Sequence, residues 1–200
     1  MPDKVSPEIM FFAGPNGSGK STITRAIPAV GQYINADEIK KVMHYDDLTS
    51  AQKAEQMRNH CLKCNADFTF ETVLSTERNL KLLVAAKEKG YFIRGIYVIT
   101  SDPYINVARI SGRVMDGGHD VPTEKVISRY WRSLALIPQV LAVCDICNIY
   151  DNSGSEPIRI FKKHKDKFFF CETETWSKSQ ICTLTGVSDN DLYPLTQLHK

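Results

Sequence analysis

The segment FFAGPNGSGKSTITRA, residues 11–26, limits this chain more than any other feature. An apolar run, Glu8 to Ala13, leads into a glycine-rich loop, and a helical pattern opens at Lys20. Such a continuous apolar run reads as a strand of a parallel sheet buried on both faces. The loop Gly14-Pro15-Asn16-Gly17-Ser18-Gly19-Lys20-Ser21 satisfies every fixed position of the phosphate-loop pattern G-x(4)-G-K-[ST]. Glycines strip away side chains and permit positive φ, so backbone N–H groups can converge on phosphate oxygens. A helix N-terminus adds its dipole. Lys20 then reaches the terminal phosphates and the Ser21 hydroxyl ligates Mg²⁺, so Gly14 through Thr22 is the expected contact for a nucleoside triphosphate. Residue frequencies alone produce this pattern in about one in a hundred chains of such length. A preceding strand and a following helix make coincidence rarer still.

Past the loop, strands and helices alternate. The pattern predicts a helix from Lys20 that Pro28 ends, a strand at 32–35, helices near 36–45 and 49–65, and a strand at 67–71. The stretch 76–90 is an amphipathic helix closed by Gly90, 91–100 is the strongest strand, and a helix carries VARISGRV. MDGGHDVP is a breaker-rich loop, residues 123–144 are helical with an interruption at Pro138, and DICNIYDNS holds a last core strand. PIRIF and KFFFCETE read as a hairpin around KKHKDK, and the final 25 residues carry no usable pattern. The fold class is α/β: a phosphate-loop NTPase domain with a parallel five-stranded core sheet, helices on both faces and a small C-terminal β-hairpin extension. One domain spans 1–200, with its core at about 8–153.

Bulk properties exclude other classes. Hydrophobic residues make up 42% and charged residues 24%, so neither disorder nor a coiled coil fits. A net charge of +2 is too small to argue for nucleic acid. No apolar run approaches the roughly 20 residues of a membrane span, and the N-terminus lacks a signal-peptide plan, so a cytoplasmic protein is expected. Two CxxC pairs exist, Cys61/Cys64 and Cys144/Cys147, but about 80 residues separate them where a zinc ribbon has about 15–20. Reduced thiols packed as small core residues are the expectation, and no metal is expected at these pairs.

Motors, switches and kinases share the loop. A GTPase needs an N-K-x-D segment to read its base, and the chain has none. A motor needs coupling elements and usually a larger chain. The segment Arg109-Ile-Ser-Gly-Arg113 favours a small-molecule kinase, because arginines four apart project from one helix face. Two guanidinium groups suit a transferring phosphoryl group, and Gly117-Gly118 offers a hinge for a lid that excludes water. His119 is either a lid-packing residue or a phosphate contact, while Arg129 and Arg132 on the next helix can add charge. Asp37, just past the second strand, is placed to accept a hydroxyl proton, or else it favours the start of a helix capped by Asn35 with Glu38. Glu71, with Thr72 and Ser75 after it, is either an acceptor-pocket residue, a holder of Mg²⁺-bound water or a helix-start acid.

Together GPNGSGKST, NADEI, FETVLS, RV with GGHDVP and RY, and YDNS resemble the zeta-toxin family of phosphate-loop kinases, in its short branch, over residues 8–153. The resemblance implies a chloramphenicol phosphotransferase-like fold and ATP with Mg²⁺. It implies as acceptor a hydroxyl of a UDP-activated amino sugar such as UDP-N-acetylglucosamine, and as partner a small antitoxin protein. It makes Asp37 the base and puts Glu71 in the acceptor pocket, with the arginines of RISGRV on the γ-phosphate and Asn152 of YDNS near the adenine. Kinases of another small acceptor, an antibiotic or a nucleoside, and an ATP-binding toxin–antitoxin module acting by partner binding, are the alternatives.

Overall fold

The computed structural model describes residues 6–115 and 121–196. Among the described residues eight strands form one sheet, in the order β2-β3-β1-β4-β5-β6-β7-β8. The parallel core consists of β1 (Glu8–Ala13), β2 (Gln32–Ile34), β3 (Phe68–Thr72), β4 (Phe92–Ile99) and β5 (Ile146–Asp151). Its strands rise in register, Phe11 lying between Phe70 and Gly95, so their C-terminal ends line one edge. The expected hairpin is present as β6 (Ile158–His164), antiparallel to β5, and β7 (Lys167–Phe170), antiparallel to β6. It continues the core sheet rather than standing apart. The final residues, unreadable from pattern, add helix α8 (Lys178–Thr185) and strand β8 (Leu192–Pro194), the latter parallel to β7.

Helices cover the two faces unequally. On one face lie α3 (Asp47–Cys64), α4 (Glu77–Glu88), α7 (Ile137–Val143) and α8, around a core that includes Phe11, Phe70, Tyr97, Ile149 and Phe161. The other face carries α1 (Lys20–Thr24), whose Ile23 packs on Met10, Phe12, Ile96 and Val98. Helix α2 (Ala36–Met43), helix α5 (Pro103–Met115) and helix α6 (Thr123–Ala135) stand near the C-terminal ends of the strands. The expected break at Pro138 falls between α6 and α7, with Pro138 in the first turn of α7 where its missing N–H costs nothing.

Helix α1 is shorter than expected, ending at Thr24 rather than near Pro28. Three successive residues, Thr22, Ile23 and Thr24, are β-branched and poor helix formers. The Thr24 hydroxyl also donates back to the Lys20 carbonyl at 2.9 Å, a bond that loosens a helix. Cys61, Cys144 and Cys147 lie in the core as expected, whereas Cys64 is exposed on the last turn of α3. Among the described residues no group of three or more His, Cys, Asp or Glu is placed to hold a metal ion, and no helix is long and apolar enough to cross a membrane.

Candidate active site

Between β1 and α1 the phosphate loop is shaped by contacts as well as by composition. Gly14, Gly17 and Gly19 have φ of 144°, 79° and 87°. A Cβ on Gly14 would come within 1.9 Å of the Val98 carbonyl oxygen, one on Gly17 within 2.6 Å of the Asn106 carbonyl oxygen, and one on Gly19 within 2.1 Å of Asn152 Nδ2. Strand β4, helix α5 and the end of β5 thus press on the loop from behind. Asn106 Nδ2 donates to the Asn16 carbonyl and Asn152 Nδ2 to the Ser18 carbonyl, both at 2.8 Å. The buried Ser18 hydroxyl has no hydrogen-bond partner among the described residues, a polar atom left over in a cradle of backbone N–H groups.

Lys20 opens α1 and lays its ammonium on the carbonyls of Gly14 and Pro15, at 2.8 and 3.0 Å. Burial pushes its pKa down to about 8, opposed by the carboxylates of Glu71 and Asp37 and reinforced by Arg113. One ammonium therefore feels the strand β3 end, the α2 start and α5 together. Ser21 and Thr22 follow it and are exposed.

Asp37 lies in the first turn of α2. Asn35 caps that helix, its Oδ1 accepting from the Asp37 N–H at 2.8 Å. The cap is therefore Asn35's work. The Asp37 carboxylate itself is exposed and has no hydrogen-bond partner among the described residues. Glu71 is half-buried and accepts a short hydrogen bond from the Tyr33 hydroxyl, which in turn accepts from Asn35 Nδ2 at 3.2 Å. Burial, with the Glu71 carboxylate adding to it, raises the Tyr33 pKa well above that of an ordinary phenol and keeps it a donor. The Thr72 hydroxyl accepts from the Leu74 N–H at 2.9 Å and from Asn79 Nδ2 at 2.8 Å, which commits it to the turn into α4. Ser75 is half-buried in the same turn.

The arginines separate. Arg109 reaches the loop after β5, with Nη2 3.4 Å from the Ser153 carbonyl and 3.5 Å from that of Gly154, while its buried Nη1 has no partner among the described residues. Arg113, one turn on, is the one that acts on Lys20. Arg129 of α6 donates to Asn16 Oδ1 at 3.4 Å and so touches the loop directly. His119 and the Gly117-Gly118 hinge lie outside the described residues. Sequence reading missed Tyr33, Asn35 as a link to Tyr33, and Asn106; only Asn106 left a trace, its spacing of three and seven from Arg109 backwards and to Arg113 forwards.

Residues 1–162 match the family described as Zeta toxin. The chain belongs to the zeta toxin family. Membership supports an ATP-dependent, kinase-type phosphotransferase. A Haemophilus influenzae protein of unassigned function is 32% identical over 127 residues, covering 60% of this chain and 91% of its own length. The fold is shared with a structure of the PezAT chromosomal toxin–antitoxin system of Streptococcus pneumoniae, at TM-score 0.59 and 14% identity over 94% of this chain and 82% of that one. It is shared too with AvrRxo1-ORF1:AvrRxo1-ORF2 bearing sulphate ions, at TM-score 0.64 and 13% identity over 98% and 75% of the two chains. A related complex of AvrRxo1-ORF1 and ORF2 holds ATP, with TM-score 0.63, 14% identity and coverage of 86% and 62%.

Proposed function

We propose that this zeta toxin family member transfers the γ-phosphate of Mg²⁺–ATP to a hydroxyl of a nucleotide-activated amino sugar of the UDP-N-acetylglucosamine class. The observation that carries the reading is the convergence on Lys20: two carboxylates and an arginine from three other elements act on the residue that meets the triphosphate. Donor and acceptor halves thus share one locus at the C-terminal ends of the strands, where open α/β sheets bind ligands.

Asp37 takes the acceptor proton. Its carboxylate is exposed and has no hydrogen-bond partner among the described residues, while Asn35 keeps the helix capped without it. Glu71, held by Tyr33, orients acceptor hydroxyls. Arg113 and Arg129 meet the charge of the transferring phosphoryl group, and Arg109 with Ser153 and Asn152 borders the nucleoside. The Ser21 hydroxyl and nearby carboxylates are hard oxygen donors of the kind Mg²⁺ takes, and the metal's role would be to neutralise phosphate charge. Residues 8–153 serve as the kinase core within a single domain, in the cytoplasm, and a small antitoxin protein is the proposed partner.

Incubation with labelled ATP, Mg²⁺ and a panel of acceptors tests this directly. Label should pass to the UDP-amino sugar, and Asp37→Asn should lower turnover by about 10²–10⁴-fold with nucleotide affinity held. Label on an antibiotic or a nucleoside instead would reassign the acceptor. Turnover by Asp37→Asn equal to that of the parent would remove Asp37 as the base.

A further inference from the structure

Asn106 lies where α5 backs onto the phosphate loop, and nothing in the pattern of the sequence gives it a task. It is fully buried. Its Nδ2 donates to the Asn16 carbonyl at 2.8 Å, and its Oδ1 accepts a short bond from the Thr100 hydroxyl. The orientation of the amide is unambiguous, because a carbonyl oxygen accepts only and so must face the NH₂ end. Thr100 is itself buried at the end of β4, and its own carbonyl accepts from the Tyr130 hydroxyl of α6 at 2.6 Å.

The bond to Asn16 governs more than one atom. The Asn16 carbonyl and the Gly17 N–H belong to one planar peptide unit and point in opposite directions. A carbonyl held toward α5 aims that N–H away from α5, and among the described residues it finds no acceptor. Gly17, at φ 79°, has no side chain to resist rotation of this peptide, so an outside contact has to fix it. Asn152 does the same for the Ser18 carbonyl two peptides further on. Asn106 also shares a helix face with Arg109 and Arg113, at spacings of three and seven, so the bond registers the arginine-bearing helix against the loop.

We propose that Asn106 is a positioning residue of the phosphate site: it holds the Asn16–Gly17 peptide so that the Gly17 N–H faces bound phosphate. The proposal rests on the nucleotide-binding reading above. Asn106→Asp is the discriminating variant, since it keeps the shape and the bond from Thr100 but turns an oxygen toward the Asn16 oxygen. At pH 8 the ionised carboxylate repels that carbonyl and the peptide loses its hold. Burial and the facing carbonyl both favour the neutral acid, whose hydroxyl can donate in place of the amide. The expected result is binding of a fluorescent methylanthraniloyl-ATP weakened at least tenfold at pH 8 and recovering toward the parent's as pH falls to about 5.5, each value taken relative to the parent at the same pH. Asn106→Ala should be weakened at every pH. Should circular dichroism show Asn106→Asp unfolded, Thr100→Val, which removes the donor that holds Oδ1, should weaken binding about threefold or more with no acid recovery. Parental affinity at pH 8 in Asn106→Asp, or in Thr100→Val where that variant is needed, overturns the proposal. So does a loss in Asn106→Asp that acid does not restore, since that marks a merely structural residue. A parent chain that binds no nucleotide overturns the nucleotide reading, and this inference falls with it; a parent that binds beside an indifferent variant overturns the inference alone.

Discussion

Lys20 shows how burial and charge settle the behaviour of a single side chain. Its ordinary pKa of 10.5 falls to about 8, so loss of solvent outweighs the attraction of Glu71 and Asp37. Two opposite pH dependences follow. The empty site loses its ammonium as pH rises through about 8, so nucleotide affinity should fall several-fold from pH 7 to 9.5 in the parent and stay nearly flat in Lys20→Met. Stability should move the other way. The unfolded chain keeps this proton up to about 10.5 while the native chain releases it near 8, so in that window the unfolded state holds more protons and stability climbs with pH. Urea midpoints at pH 7.5 and 9.5, compared between the parent and Lys20→Met, give the sign; a midpoint that falls with pH in the parent alone would contradict it. The motif made Lys20 legible from sequence, since its spacing from Gly14 and Gly19 is fixed by phosphate geometry. The carboxylates around it were legible only as single residues ending strands or opening helices. Their convergence is a product of the crossovers, which spacing does not encode. The separation of Arg109 from Arg113 was hidden for a related reason: a shared helix face says nothing of what each long side chain finds across the gap.

At the scale of elements, the phosphate loop is held by its neighbours, and the two inner glycines are constrained by different kinds of atom. At Gly17 the obstacle to a Cβ is the Asn106 main-chain carbonyl, 2.6 Å away; at Gly19 it is the Asn152 side-chain amide, 2.1 Å away. Both also occupy φ values that cost an L-residue about 1–2 kcal/mol. A double-mutant cycle should therefore separate them. Gly19→Ala combined with Asn152→Ala should be less damaging than the sum of the two single changes, because truncation of the amide makes room. Gly17→Ala combined with Asn106→Ala should show no such relief, since the carbonyl remains. Thermal unfolding of the six variants measures both couplings, and equal relief in the two pairs would refute the distinction. Long elements with several periods, such as α4 and the α6–α7 pair broken before Pro138, were readable from sequence for the same reason that they are stable: each repeats its apolar stripe. Short ones were not. Strand β8 has three residues and exists only through its pairing with β7, and the end of α1 depends on three β-branched residues in a row. The eight residues of α8 hide the Ser177–Gln180 capping box that starts it, because so few positions carry a period.

The family match ends at residue 162, inside β6, and the motifs end with YDNS, which together suggest that the C-terminal segment is an accessory. The packing argues otherwise. Ile160, Phe161 and Ile181 are fully buried, and with Trp176 and Leu192 they join the same core as Phe11, Tyr97 and Ile149. Lys163 crosses to α7, donating to the Leu141 carbonyl at 2.5 Å. A chain ending at Gly154 would leave β5 as an unpaired edge and uncover the apolar side of β5 and α7. Burial of each large side chain stabilises by about 1.5–3 kcal/mol, so the three fully buried ones alone account for roughly 5–9 kcal/mol. Whole domains hold only about 5–15 kcal/mol. The shortened chain should therefore lose its cooperative thermal transition, or aggregate through the exposed edge, even though every proposed catalytic residue remains in it. Circular dichroism melting of the full chain and of the chain ended at Gly154 decides the matter. A cooperative transition within a few degrees of the parent's, with nucleotide binding kept, would mean that β5 and α7 close their own core and that the segment from 155 onward is dispensable to the kinase.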